Sequence, residues 1–255
     1  MTIITVLAAV MMTAGSCSVK EDRADCPCWL KVFIDPFPRS GAVITAVDSE
    51  PVFTDMVEEE NYMDCYEATV PRRVLALSCF RYYPTLSMNG GDIIIPKGSQ
   101  ADSLYAHHAE VDCRCERAEY HAALDKQFAT VYMTVGQEKE FPYDIVIKGG
   151  VDGMDMYSFR PHEGAFEYRP KESAPAFFQF RLPRQKDGSL TLELYRKTDG
   201  VLLDTLPLGQ YILDSGFDWE AESLEDIEIL VDFSKMEPQI KVSEWKADKV
   251  YEITI

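Results

Sequence analysis

The sequence predicts an all-β protein built as two β-sandwich domains in tandem. Three observations predict it. Apolar residues alternate with polar ones at a period of two through most of the chain, as half-buried strands require. Turn-forming pairs punctuate these runs: Asn89-Gly90-Gly91, Gly149-Gly150, Asp152-Gly153, Asp187-Gly188, Asp199-Gly200 and Pro207-Leu208-Gly209. All 7 cysteines lie before residue 116, which sets a front half apart from a back half of different construction. The length of 255 residues fits two domains of ordinary size, and a 46% hydrophobic content with 13 Tyr and 13 Phe supplies a core for each.

The elements follow in chain order. Residues 2–12, "TIITVLAAVMM", form an apolar run followed by the small residues Thr13, Ala14, Gly15 and Ser16, then Cys17. The run is shorter than the roughly 20 residues a spanning helix needs, and it has the length of a secretory apolar segment. Small residues placed directly before a cysteine resemble a bacterial lipoprotein signal, although no Lys or Arg precedes the run. We therefore expect residues 1–16 to be a signal peptide and Cys17 to carry lipid on its thiol. Acyl chains there would tether the protein at about 0.8 kcal/mol per buried CH2. Residues 17–25, polar and acidic, read as a short tether.

In the front half, "WLKVFI" alternates Leu30, Val32 and Ile34, and "RVLALSCFRYY" is apolar on both faces, as a strand covered on both sides would be. "SLYAHHAEV" and "EYHAALDKQF" are short enough to hold a helical turn or two, and the first reads equally as a strand. A boundary is expected between residues 116 and 126, giving domains at 26–120 and 121–255. In the back half the strands are "ATVYMTV", "YDIVIKG", "FFQFRLP", "LTLELYR", "DIEILVDF" and the final "VYEITI". Asp199-Gly200 between "LTLELYRK" and "VLLDTL" predicts a hairpin. The last strand is expected at a sheet edge, open to pairing with another chain.

Removing Cys17 leaves Cys26, Cys28, Cys65, Cys79, Cys113 and Cys115, an even set, which in an exported chain favours disulfides. The two C-x-C pairs fit a four-sulfur zinc site poorly, since structural zinc sites use wider spacing. We expect Cys26/Cys28 to lie near Cys113/Cys115 and Cys65 near Cys79, with the connectivity left open.

The net charge of -18 and pI near 4.6 repel phosphate backbones, so nucleic acid is not an expected partner. No nucleophile elbow, phosphate loop, dinucleotide fingerprint or zincin motif is present in the sequence. No enzyme activity and no cofactor are expected. His107, His108, His121 and His162 read as exposed or hydrogen-bonded side chains, and Glu58-Glu59-Glu60 as a solvated loop. Trp29, Trp219 and Trp245 are candidate sugar-stacking platforms, though sandwich cores commonly absorb tryptophan.

Several stretches taken together resemble a known family. "EDRADCPCWLKV" after the lipidation pattern, "PRQKDGSLTLEL", and "PLGQYILDSGFDWEAESLEDIEILVDFS" are similar to FimB-like fimbrial anchor lipoproteins of the type V fimbriae of Bacteroidia. The resemblance implies two transthyretin-like sandwiches. It implies a lipoprotein of the outer-membrane surface that holds a fimbrial shaft to the cell, ends its growth, and pairs with a pilin by strand addition. It carries over one functional residue, Cys17. Arg39, Arg72 and Arg73 are candidate cleavage positions by analogy with shaft subunits. The competing expectation is a surface lipoprotein that binds glycan through exposed aromatic residues.

Overall fold

The computed structural model describes residues 26–81, 87–89, 91–136, 141–232 and 239–244. The expected signal peptide, Cys17, the tether, Trp245 and the final strand lie outside the described residues. Among the described residues the regular structure is nearly all strand. In order come β1 (Cys28–Ile34), β2 (Ala42–Asp48), β3 (Glu50–Val57), β4 (Tyr66–Val70), β5 (Val74–Arg81), β6 (Ser87–Asn89), β7 (Asp92–Ile94), β8 (Tyr105–Asp112), β9 (Arg117–Ala122) and β10 (Asp125–Lys126). Then follow β11 (Phe128–Gly136), β12 (Tyr143–Asp155), β13 (Pro161–Tyr168), β14 (Glu172–Ala174), β15 (Phe177–Pro183), β16 (Thr191–Arg196), β17 (Leu202–Leu206), helix α1 (Leu208–Asp214), β18 (Ile227–Asp232) and β19 (Gln239–Glu244).

The front unit stacks a sheet of order β4-β1-β9 on one of order β10-β8-β5-β2-β3. Strand β1 shows why. Cys28, Leu30, Val32 and Ile34 are buried while Trp29, Lys31 and Phe33 are not, the pattern of a strand with one face in a core. Leu30 and Val32 meet Ile44 and Ala46 of β2 and Leu75, Leu77 and Cys79 of β5 in a common core. Each large side chain fully withdrawn from water there contributes about 1.5–3 kcal/mol.

The back unit stacks a sheet of order β14-β15-β11-β18-β19 on a sheet containing β17, β16, β12 and β13. Its core runs from Val131 and Met133 through Ile147, Phe180 and Leu182 to Leu192 and Ile229, and takes in Leu208 and Ile212 of α1. The two units share a pattern of pairing. β1 runs antiparallel to β4 and parallel to the late strand β9. β11 likewise runs antiparallel to β15 and parallel to the late strand β18.

The structure differs in detail from several of the sequence expectations. The division at 120/121 cuts β9, which stays paired with β1 to Ala122, and β10 still pairs with β8 of the front unit. The front unit therefore runs to Lys126. Gly149-Gly150 and Asp152-Gly153 are not turns: β12 runs through both, with register shifts against β13 that place these glycines in bulged strand. "SLYAHHAEV" carries β8, the strand alternative, and "EYHAALDKQF" carries the end of β9 and then β10 rather than a helical turn. The helix instead forms at Leu208–Asp214, where Pro207-Leu208-Gly209 reads as a turn. Pro207 precedes it, and Leu208, Tyr211 and Ile212, spaced three and four apart, are buried.

The front unit also lends a hairpin to the back one. β6 and β7 pair with each other, and β7 pairs antiparallel with the end of β12 through Gly153↔Ile94 and Met154↔Ile93. A third core forms at this junction, with Val43, Phe80, Ile93 and Leu104 on one side and Met154, Met156 and Phe159 on the other. This explains the two apolar faces of β5. Leu75, Leu77 and Cys79 point into the front sandwich, while Ser78 and Phe80 are covered by the back unit. The Ser78 hydroxyl donates to the Tyr157 carbonyl at 2.7 Å, so the one polar group on that covered face is satisfied.

Candidate functional site

The side chains with chemical potential are mostly engaged in structure. His107 Nε2 meets the Tyr120 hydroxyl at 2.8 Å, and His108 Nδ1 meets the Ser78 hydroxyl at 3.0 Å. Burial pulls His108 below the usual histidine value. His162 Nδ1 lies 2.8 Å from Asp152 Oδ1, and its Nε2 lies 3.8 Å from Asp92 Oδ2. Its pKa is raised, chiefly by the Asp152 hydrogen bond. The glutamates at 58–60 are exposed, and Glu59–Asn61 form one short 3-10 turn. No group of three or more potential metal-binding side chains is found among the described residues.

Arg184, which sequence reasoning passed over, is a buried hub. Its Nε donates to Gln127 Oε1 at 3.0 Å, Nη2 donates to the Glu222 carbonyl at 3.2 Å, and Nη1 donates to the Trp219 carbonyl. The guanidinium thus ties the loop before β18 to the start of the back unit. Trp219 packs edge-on against Phe217 at 4.7 Å between ring centres and is buried, so it is not a sugar platform.

Trp29 is different. It projects from the outer face of the three-stranded sheet and is 50% exposed. With Lys31, Glu67, Arg117 and Glu119 it lines a shallow groove of about 230 Å³. Lys31 Nζ pairs with Glu67 Oε1 at 3.0 Å, and that contact raises the lysine pKa. A flat aromatic ring beside paired charges is an arrangement that can stack on a sugar and hydrogen-bond its hydroxyls.

The second exposed apolar feature is an edge. Among the described residues, β17 is the last strand on its side of the back sheet, bonded only to β16 within that sheet's order. Val201, Leu202 and Leu203 are 48, 46 and 41% exposed there. Three consecutive apolar residues exceed what one buried face needs. The run "VLLDTL" held that signal, but a hairpin reading absorbed it. An edge strand with free main-chain groups and apolar side chains is a template for another strand.

The six cysteines among the described residues are all free thiols, so the expected disulfides are not present as bonds. The structure does bring Cys28, on the first position of β1, beside the segment that carries Cys113 and Cys115 after β8: Cys28 and Cys113 share one core, and the next residue, Trp29, donates its N–H to the Glu116 carbonyl at 2.9 Å. Cys26 is exposed, Cys65 precedes β4 and is half-buried, and Cys79 is buried on β5 of the other sheet.

No protein-family model matches the sequence, and no curated protein matches it. Solved structures do. A candidate polysaccharide-binding protein from Bacteroides thetaiotaomicron aligns over 90% of this chain and 99% of its own, with a TM-score of 0.63 and 14% identity. The fimbrial anchor protein Mfa2 from Porphyromonas gingivalis aligns over 86% of this chain and 98% of its own, with a TM-score of 0.62 and 14% identity. A candidate adhesin from Bacteroides ovatus aligns over 93% of this chain and 98% of its own, with a TM-score of 0.61 and 12% identity. The fold of this chain is thus one that these solved proteins share over nearly their whole length.

Proposed function

We propose that this chain is a structural subunit of a fimbrium, a non-enzymatic FimB-like anchor that holds the shaft to the outer membrane through lipid on Cys17. The observation that carries the reading is a fold shared with a fimbrial anchor protein over 98% of that protein's length. The sequence supports it independently, with a lipoprotein-like pattern ahead of Cys17 and three stretches similar to anchor lipoproteins. In this reading the shaft's last pilin adds a strand to a sheet edge, and the anchor offers no further edge for growth. β17 is the edge best suited, since its exposed Leu202 and Leu203, with Val201 just before it, would pack against an incoming strand's side chains. The test is metabolic labelling with palmitate in cells carrying Cys17→Ala. Loss of label, with protein and fimbriae together in the medium, is expected. Label that persists, or fimbriae that stay on the cells, contradicts the proposal.

A second reading, glycan binding, rests on Trp29 and its groove, and on a neighbour named as a candidate polysaccharide-binding protein. Trp29→Ala should abolish retention on immobilised polysaccharide. A native protein that is not retained ends this reading and leaves the first intact.

A further inference from the structure

The front sandwich places three thiols at one corner. Cys28 and Cys113 are both 0% exposed and belong to the same core, whereas Cys115 is exposed. Cys28 and Cys113 share one buried cluster, and the Cys28 thiol lies near enough to both of the others for them to shift its pKa. The backbone holds this corner in register: Trp29 N–H donates to the Glu116 carbonyl at 2.9 Å, and Cys113 N–H donates to the Arg73 carbonyl at 2.9 Å. Cys115 Sγ sits 2.9 Å from the Arg117 carbonyl. Cys28 lies in the three-stranded sheet, and Cys113 directly follows β8 of the five-stranded sheet. A bond between them would join the two layers of the sandwich.

We propose that Cys28, Cys113 and Cys115 form a disulfide-relay site, in which exposed Cys115 receives oxidising equivalents and passes them to a buried Cys28–Cys113 cross-link. The oxidant is a small-molecule or protein disulfide. The Cys115 thiolate attacks one of its sulfurs and expels the first thiolate. The Cys28 thiolate then attacks the Cys115 sulfur of the mixed disulfide and expels the second, forming Cys28–Cys115. Finally the Cys113 thiolate attacks the Cys28 sulfur and expels the Cys115 thiolate. Two protein thiols lose two electrons and two protons, and the donor becomes two thiols.

The exposures give the order. A donor cannot reach a thiol with no accessible surface, so the first attack falls to Cys115. Burial above all, and the neighbouring Cys28, push the Cys113 thiol up to about 12, so its thiolate fraction is the smallest and its attack comes last. The resting bond is Cys28–Cys113 because both of its sulfurs are then shielded, whereas Cys28–Cys115 keeps one sulfur open to reduction.

The test is tryptic mapping, without reduction, of the folded chain after exposure to glutathione disulfide. Trypsin cuts after Arg114 and so separates Cys113 from Cys115, while Cys26 and Cys28 share the peptide 24–31. The expected product joins peptide 24–31 to peptide 98–114, and persists with Cys26→Ala. Cys115→Ser should slow its formation about tenfold or more without changing its identity. Cys113→Ser should trap peptide 24–31 on peptide 115–117. Three free thiols at equilibrium in the folded wild type, or bonds to Cys65 or Cys26, overturn the proposal, as does a Cys115→Ser protein oxidised at the wild-type rate. Unfolding of a single variant leaves the wild-type map as the deciding result.

Discussion

A methyl group at position 153 has no room. A Cβ there would lie 2.1 Å from the Ile93 carbonyl oxygen, because β7 crosses close against β12 at that residue. Gly153→Ala is therefore expected to push the β6–β7 hairpin off β12 and to cost about 1–3 kcal/mol in urea unfolding. An unchanged midpoint would mean the hairpin does not rest on that strand. The same junction carries a titrating group. His162 bridges Asp152 and Asp92, with Glu163 beside it. Its folded pKa stands above the ordinary 6.5, so its contribution is fully present below that value and is lost as pH rises through the raised one. Amides of β7 should exchange faster at about pH 8.5 than at about pH 5.5 after intrinsic correction, and His162→Gln should flatten that difference. Equal protection at both values in the wild type would contradict this. Arg184→Ala strips donors from Gln127 Oε1 and from the Trp219 and Glu222 carbonyls, and a buried group left unsatisfied costs about 1–3 kcal/mol. Differential scanning calorimetry should show a clear drop in the midpoint, larger than for Lys171→Ala on the exposed surface.

At the scale of elements, the strands with one buried face were legible in the sequence because period two is a direct image of the pleat. β1, β11, β15, β16 and β18 all bury the alternate apolar residues that the pattern marks. What was not legible was decided by neighbours outside each window. Gly149-Gly150 and Asp152-Gly153 look like turns until β7 and β13 arrive on either side of β12. Helix α1 spans only seven residues, too few for a period of 3.6 to declare itself, and it is held by packing under β16 and the back core. β17 was found as a strand, but its role as an apolar edge depends on no strand following it in the sheet. Leu202→Lys with Leu203→Lys should leave the thermal midpoint of the isolated protein nearly unchanged, within about 0.5 kcal/mol, since both side chains face solvent. The same pair should abolish co-purification with a shaft subunit. Retained co-purification would move the docking edge elsewhere.

At the scale of the whole molecule, two sandwiches of like pairing are locked by an exchanged hairpin and a shared core. The sequence revealed their number and order, since cysteine content and turn spacing change along the chain. It did not reveal the lock, because residues 87–94 join their sheet only through contacts some sixty residues later in the chain. Phe80, Val43 and Ile93 would be bared if the units parted, so one cooperative unfolding transition is expected for the full chain, rather than two. Under the proposed function, such rigidity would transmit force from a shaft to a membrane. The central claim, that this rigid pair of sandwiches anchors and ends a fimbrial shaft, is tested most directly by electron microscopy of cells with and without the protein. Its absence should give fimbriae that are longer than normal and found free in the medium, restored by the wild-type chain. Fimbriae of ordinary length, still attached to cells that lack it, would contradict the account.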